Sequence, residues 1–207
     1  AIHGHVNHVV YASEPNPDTT FGTWKKGDVL VGRFGVKARI GTLEDFVADA
    51  LQGDMGVTSP LRPTEIPNPD GLTDDLKPGV DVTADSVNSR AMYVRLIAIP
   101  KRVGLTDAER ALFDGAKCSV CHVPTLKTRP DYPIAQLANV DAPIYSDLLL
   151  HDMGDALADG TAKIDGEATS RTWRTEPLIG LRFLKELMHD GRAKTIADAI
   201  AAHGGPG

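Results

Sequence analysis

The sequence has little cysteine, few aromatic residues and no long apolar run. Its 207 residues include two cysteines, too few for a scaffold of disulfide bonds. Aromatic residues make up only 5% of the chain, which leaves room for a bulky prosthetic group in the core. No stretch approaches the ~20 apolar residues that cross a bilayer, and the basic residues form no run. We therefore expect neither a membrane span nor a nucleic-acid partner.

The rest of the composition is that of an ordinary globular protein. Hydrophobic residues make up 42% and charged residues 24%, with a formal net charge of −6. The 20 glycines and 14 prolines predict long loops. Periodicity and caps predict short helices opening at Thr42, over 84–99, from Thr106, over 145–151, near 179–188 and from Thr195. The expected fold class is mainly α.

A proline-rich stretch over residues 57–82 predicts a loop. It carries Asp70, Asp74 and Asp75, whose spacing does not match that of an EF-hand calcium loop. We therefore interpret the stretch as a solvated acidic loop rather than a calcium site.

The most informative local feature is the run KCSVCH, which contains Cys118, Cys121 and His122. Two thiols three positions apart can each add to one vinyl group of a haem, and the adjacent histidine then lies under the iron as the proximal ligand. This spacing is typical of c-type haem attachment. We predict one covalently bound haem c, with thioethers at both cysteines and His122 on the iron.

Two other interpretations of this motif are a thioredoxin-like redox pair and half of a zinc site. A redox pair would need a βαβ setting, which the flanking sequence does not offer. A zinc site would need four ligands, usually with a second cysteine pair, and the sequence has no further cysteine. Haem attachment is therefore favoured. Short helices in long loops are typical of small c-type cytochromes, so we expect a cytochrome c-like haem domain.

Several residues after the motif could supply the second axial ligand. The candidates are His151, Met153, Met188, His189 and His203. A lone methionine on a helix is more often a core residue than a ligand. His203 shares a helical face with Ile196 and Ile200, so it points inward, and a neutral imidazole binds iron. From periodicity alone, a histidine that caps the helix C-terminus is an equally good interpretation.

Several longer stretches carry a family resemblance. They are GRFGVKA (32–38), GDMGVTSP (53–60), KCSVCHVP (117–124), YSDLLLHDMGDALAD (145–159), TWRTEPLIGL (172–181), MHDGRAKTIADAI (188–200) and HGG (203–205). Together they resemble the di-haem c-type oxidoreductases of the thiol oxidoreductase-like kind, relatives of bacterial di-haem cytochrome c peroxidases and of MauG. The matches are spread over residues 5–205, and YSDLLLHDMG and WRTEPL are far more specific than a bare C-x-x-C-H.

The resemblance implies a periplasmic redox protein with covalent haem. In the peroxidase relatives, the axial ligand of the C-terminal haem follows an HDG motif by 14 residues, and here His203 follows His189 of HDG at that spacing. The implied axial pair is therefore His122 and His203. Such a pair would make the iron low-spin and lower its reduction potential relative to Met/His ligation.

The resemblance also implies a division of the chain. Family members carry two haems on two cytochrome-like halves, whereas this sequence has one C-x-x-C-H motif and resembles the C-terminal half. We expect residues 1–83 to form a loop-rich extension with one helix that packs on a haem domain over 84–207, truncated at its C-terminus. The implied partners are a second haem domain or chain and a small redox protein, either a cytochrome or a cupredoxin.

Two functions remain open from the sequence. The first is electron transfer through this haem, as the electron-transfer half of a di-haem oxidoreductase of the peroxidase type. A six-coordinate iron has no open position for peroxide, so we assign no catalytic residue to this chain. The second is a non-catalytic cytochrome subunit or docking module of a larger redox complex, which would show no turnover with peroxide or a thiol.

Two further residues are predicted to bind the cofactor. Trp173 can pack on the macrocycle or carry an electron, and the alternative is an ordinary core residue. Arg174 can pair with a haem propionate, because a guanidinium matches a carboxylate with two hydrogen bonds, and the alternative is a surface charge. The same propionate interpretation applies to Arg33, Arg171 and Arg192.

Other histidines are interpreted as structural. His151 with Met153, and His189 with Asp190, are expected near the haem but not on the iron. An N-terminal cluster can chelate copper or nickel, although the resemblance places that segment in the middle of a longer protein. Its members are His3, His5 and His8.

Overall fold

Short strands accompany the helices along the chain. The computed structural model describes residues 3–67, 78–101, 103–162 and 164–204, so Asp70, Asp74 and Asp75 lie outside the described residues. Helix accounts for 28% of the described residues and strand for 13%, and the prediction of a mainly α fold is therefore wrong. The strands are two or three residues long, too short for an alternating apolar pattern to appear in the sequence.

Two compact units make up the described chain. The first unit consists of described residues within 1–7, 36–39 and 98–207, and the second of those within 8–35 and 40–97. The division predicted after residue 83, into an extension and a haem domain, stays a prediction.

Two capped helices organise the second unit. Helix α1 (Leu43–Met55) begins at the predicted cap Thr42, whose side chain accepts the Asp45 N–H, and ends at Gly56. Gly56 has a φ of 66°, a left-handed conformation that glycine adopts at little cost. Helix α2 (Ala84–Leu96) ends at Leu96 rather than at the predicted residue 99.

The core of the second unit lies where these two helices meet. Its fully or nearly fully buried members are Ala48, Leu51, Leu61 and Val87. Strands β1 (His8–Val10) and β2 (Val29–Val31) pair antiparallel, with Val9 opposite Leu30. A polar cluster completes the unit: Arg62 bonds Asp45 at 2.7 Å and Asp49 at 2.9 Å.

Tyr11 of the second unit is expected to make stability sensitive to alkaline pH. Its side chain is buried, and burial, with the charges of Asp45 and Glu44, raises its pKa to about 12 from 10.0. The unfolded chain therefore loses this proton first, so stability falls as pH rises from about 10 to 12. The loss is roughly 2–3 kcal/mol. Alkaline unfolding followed by circular dichroism measures it, and a Tyr11→Phe variant should lack this part of the pH dependence.

Helices α3 (Asp107–Gly115) and α4 (Ile196–Ala201) belong to the first unit. Each begins with a capping box, formed by Thr106 with Glu109 and by Thr195 with Asp198. The predictions of helices from Thr106 and Thr195 are confirmed. Neither helix buries a residue in the protein, although both carry apolar side chains.

Two short strand pairs lie in the chain between these helices. Strand β3 (Leu126–Lys127) pairs with β4 (Asp141–Ala142), and β5 (Leu150–Asp152) pairs with β6 (Thr172–Arg174). Both pairs are antiparallel, and His151 lies opposite Trp173. No helix in the described part of the chain is long and apolar enough to cross a bilayer.

Two predicted helices of the first unit do not form. Residues 145–149 form no helix and lead into β5, because Tyr145 and Leu148 have left-handed φ values of 53° and 60°, which interrupt a right-handed helix. The predicted helix near 179–188 is reduced to a single 3-10 turn over Leu181–Phe183. Positive φ values at Gly180 and Met188 bound this segment.

Candidate functional site

The C-x-x-C-H motif lies directly after helix α3. Lys117 has a φ of 61° and opens a 3-10 turn over Cys118–Val120. The His122 N–H donates to the Cys118 carbonyl at 2.9 Å, so this single turn carries both thiols and the histidine. Both cysteines are free and partly exposed. Both thiols are therefore available to react with the same ligand.

The Cys121 thiol is protonated near neutral pH. Burial, and then the charge of Asp147, raise its pKa above the ordinary value for cysteine. A redox-active dithiol needs a lowered thiol pKa. The environment of Cys121 therefore does not favour the thioredoxin-like interpretation.

The His122 ring is oriented by a backbone carbonyl. Its Nδ1 lies 3.0 Å from the Tyr145 oxygen, so Nδ1–H donates there and the lone pair of Nε2 is available to a metal. Burial lowers the pKa of His122, against the opposing effect of the Tyr145 carbonyl. His122 is therefore neutral near pH 7, which is the form that binds iron.

The segment over residues 145–147, which supplies this carbonyl, is bound to the motif by backbone hydrogen bonds. Tyr145, Ser146 and Asp147 donate their N–H groups to the carbonyls of Pro124, Val123 and Cys121, at 3.3, 3.0 and 2.8 Å. The left-handed φ of Tyr145 accompanies the turn of its carbonyl toward His122. Sequence reasoning missed this role, because a backbone carbonyl leaves no residue-type signal.

His203 lies beyond the last turn of α4 and faces His122. Its Nδ1 is 2.6 Å from the Ala199 carbonyl, so its Nε2 lone pair is also available. The centroids of the His122 and His203 rings are 6.4 Å apart, with 53° between their planes. The structure thus brings together two histidines that are 81 positions apart in the sequence.

This pair fits a metal held between two imidazoles. A metal–nitrogen bond is about 2 Å long, so one ion bound to both Nε2 atoms requires ring centroids about 6 Å apart, close to the observed separation. Apolar side chains of the two flanking helices are available to cover a macrocycle: Leu112 of α3 is 74% exposed, and Ile196 and Ile200 of α4 are 58% and 65% exposed. The residues present fit a haem.

Comparison with known proteins identifies the family. The family model described as "di-haem oxidoreductase, putative peroxidase" matches residues 23–207. The chain belongs to the di-haem oxidoreductase family. This membership implies haem binding and confirms the resemblance inferred from the sequence. No curated protein and no solved structure matches the chain significantly.

In this di-haem oxidoreductase, Trp173 is enclosed by protein groups. Its indole stacks on the His189 ring at 3.6 Å and 14°, and the Lys37 ammonium lies 3.7 Å from the indole centroid. The indole N–H donates to the Leu157 carbonyl at 2.9 Å. These contacts give Trp173 a packing role, and its contact with a haem stays a prediction.

Three of the four arginines predicted as propionate partners pair with carboxylates of the protein. Arg174 pairs with Glu176 at 2.7 Å. The other two with described side-chain pairs are Arg171, with Asp152 and Asp155, and Arg192, with Asp190. These contacts do not distinguish any of the three arginines as the partner of a haem propionate. The assignment of Arg174 stays a prediction.

His151 lies on β5 and not at the end of a helix. It is 5% exposed, and its Nε2 lies 2.8 Å from Asp147 Oδ2. Ligand atoms of Cys121, Asp147 and His151 lie within 4.8 Å of one another, so a chain without haem offers a thiol, an imidazole and a carboxylate to a metal ion. No such group among the described residues includes His3, His5 or His8. Sequence reasoning missed Asp147, which resembles any loop aspartate.

Proposed function

We propose that this di-haem oxidoreductase chain binds one haem c covalently and transfers electrons through it. The observation that supports the proposal is the facing pair of imidazoles, His122 and His203, each with Nδ1 on a backbone carbonyl and Nε2 available. Cys118 and Cys121 would hold the haem through thioethers. Bound there, the haem supplies an iron that changes between the ferric and ferrous states and so carries one electron.

The protein residues set the conditions for that transfer. His122 and His203 would hold the iron from its two sides, and two imidazole ligands would favour a low-spin iron and a lower reduction potential than Met/His ligation. With both histidines bound, the iron of this chain would have no position for peroxide. The exposed apolar side chains of α3 and α4 would lower the polarity around the macrocycle, which would also tune the reduction potential.

We further propose the cellular setting of the chain. Covalent haem and the family resemblance support a periplasmic location. Peroxide chemistry, where the assembly performs it, would belong to a second haem on another domain or chain. A small cytochrome or cupredoxin would exchange electrons with the assembly.

Absorption spectroscopy and low-temperature EPR of the purified protein, oxidised and reduced, test this proposal. We expect one low-spin c-type haem with bis-histidine features that peroxide leaves unchanged. A high-spin signal, or a charge-transfer band from methionine to iron, would remove His203 from the iron. A protein without covalent haem after expression with a haem-attachment system would refute the proposal as a whole.

The cap of α4 gives a graded test of the His203 assignment. A Thr195→Ala substitution removes the hydroxyl that accepts the Asp198 N–H and costs about 1 kcal/mol of helix stability. Because α4 carries His203, we expect a partial high-spin EPR signal. Thr106→Ala, which uncaps α3 in the same way, is the matched control and should keep the low-spin signal. Identical spectra for the two variants would contradict the assignment.

A further inference from the structure

Three side chains of the first unit meet at the haem-binding turn. His151 lies between the other two, with Nδ1 3.8 Å from Cys121 Sγ and Nε2 2.8 Å from Asp147 Oδ2. We propose that Asp147 and His151 are positioning residues for the haem. They fix the geometry of Cys121 and His122, and the Asp147 carboxylate holds the reduction potential of the iron down. This inference rests on the proposed function.

The His151 ring is immobilised from several directions. Besides its contacts with Asp147 and Cys121, its backbone is held in β5 opposite Trp173. The Gly4 backbone packs directly against the imidazole. The contact is so close that a Cβ atom added at Gly4 would lie 2.5 Å from His151 Nε2. A ring held this closely keeps the Cys121 sulfur, and any thioether formed on it, at a defined place.

Asp147 is tied to the same turn through its backbone and its side chain. Its N–H donates to the Cys121 carbonyl at 2.8 Å, and its Oδ1 accepts the Leu149 N–H at 2.9 Å. Burial acts to raise the pKa of Asp147, but hydrogen bonds from His151, Leu149 and Thr175 outweigh it, and the pKa is lowered. Asp147 is therefore a fixed negative charge near neutral pH, with its side chain 13% exposed.

The same segment orients the proximal ligand. Tyr145, two residues before Asp147, accepts the His122 Nδ1–H. The backbone bond from Asp147 to Cys121 and the bond from His151 to Asp147 thus hold the carbonyl that orients His122. A fixed negative charge beside this turn stabilises the ferric state relative to the ferrous state, because the ferric site carries one more positive charge.

Reduction potentials of the haem-loaded chain test the inference. Asp147→Asn keeps the size of the side chain and removes its charge. We expect the ferric-to-ferrous equilibrium to shift about tenfold toward ferrous, ~59 mV for a one-electron couple, with the low-spin spectrum retained. Asp147→Ser, whose hydroxyl can still accept the Leu149 N–H, is a second neutral variant should the first not fold. Asp147→Glu restores the charge and should restore the potential.

The matched control is Asp141→Asn, which removes an exposed carboxylate of the same unit that pairs with Lys127. This variant should leave the potential unchanged. His151→Gln should change the EPR g-values, because the sulfur of Cys121 and the carbonyl of Tyr145 lose their fixed positions. The inference is overturned if both neutral Asp147 variants have the same potential as Asp141→Asn. Failure of the proposed function would look different from failure of this inference, because the unsubstituted chain itself would then lack a covalent bis-histidine haem.

Discussion

Replacing His203 with alanine is expected to convert nearly all of the haem iron from a low-spin to a high-spin state. The substitution removes the imidazole that faces His122 across a 6.4 Å separation of ring centroids, and under the proposed ligation it would leave one iron position open. Low-temperature EPR of the oxidised protein measures the change. The open position should also bind cyanide and react with peroxide, which absorption spectroscopy follows.

Two further variants make this experiment specific. His3→Ala removes an exposed histidine and should leave the spectrum unchanged. His203→Met should keep the iron low-spin but raise its reduction potential, because a thioether ligand favours the ferrous state. A low-spin spectrum that persists in His203→Ala would show that another residue is the distal ligand.

The largest expected effect on stability comes from Arg62. Its side chain is 15% exposed and pairs with Asp45, which is 3% exposed. Arg62 also donates from Nε to Ser13 Oγ at 2.9 Å, and the Ser13 hydroxyl donates to Asp45 at 2.6 Å. In Arg62→Met, the Asp45 charge stays buried without its cation, which costs about 3–5 kcal/mol. The free energy of unfolding in urea, followed by circular dichroism, measures this loss.

The control for Arg62 is an exposed ion pair of the same unit. Lys26 pairs with Glu14 at 2.6 Å, with side chains 62% and 41% exposed, so Lys26→Met should cost less than about 1 kcal/mol. Adding Asp45→Asn to Arg62→Met should recover part of the lost stability, since the unpaired charge is then removed. Equal losses for Arg62→Met and Lys26→Met would refute this account of the cluster.

The sequence predicted those helix starts that are determined by contacts between residues close together in the chain. At Thr42, Thr106 and Thr195, each cap side chain accepts an N–H group three residues later, so the contact that starts each helix lies within four consecutive residues. All three predicted helix starts are confirmed. The non-helical course of residues 145–151 was not predictable in this way. It depends on left-handed conformations at Tyr145 and Leu148 and on backbone bonds to residues 121–124, which side-chain periodicity does not record.

In the candidate site, too, the sequence predicted residues that belong to local motifs but not those placed by tertiary contacts. The C-x-x-C-H spacing predicted Cys118, Cys121 and His122, and the family resemblance, through the position of the HDG motif, implied His203. The partners that orient these residues were not indicated, because they are a carbonyl of Tyr145, a loop carboxylate at Asp147 and a close backbone approach at Gly4. Each is defined by tertiary geometry rather than by residue type.

Helix α4 is six residues long and buries none of them in the protein. A helix of this length is unstable in water by itself, so under the proposed ligation the bond from His203 to the iron also holds the helix. Haem binding and local folding are then linked equilibria, and each stabilises the other. The amide protons of residues 196–201 would exchange with solvent quickly in the haem-free chain and slowly in the loaded one, so their exchange rates report haem occupancy residue by residue.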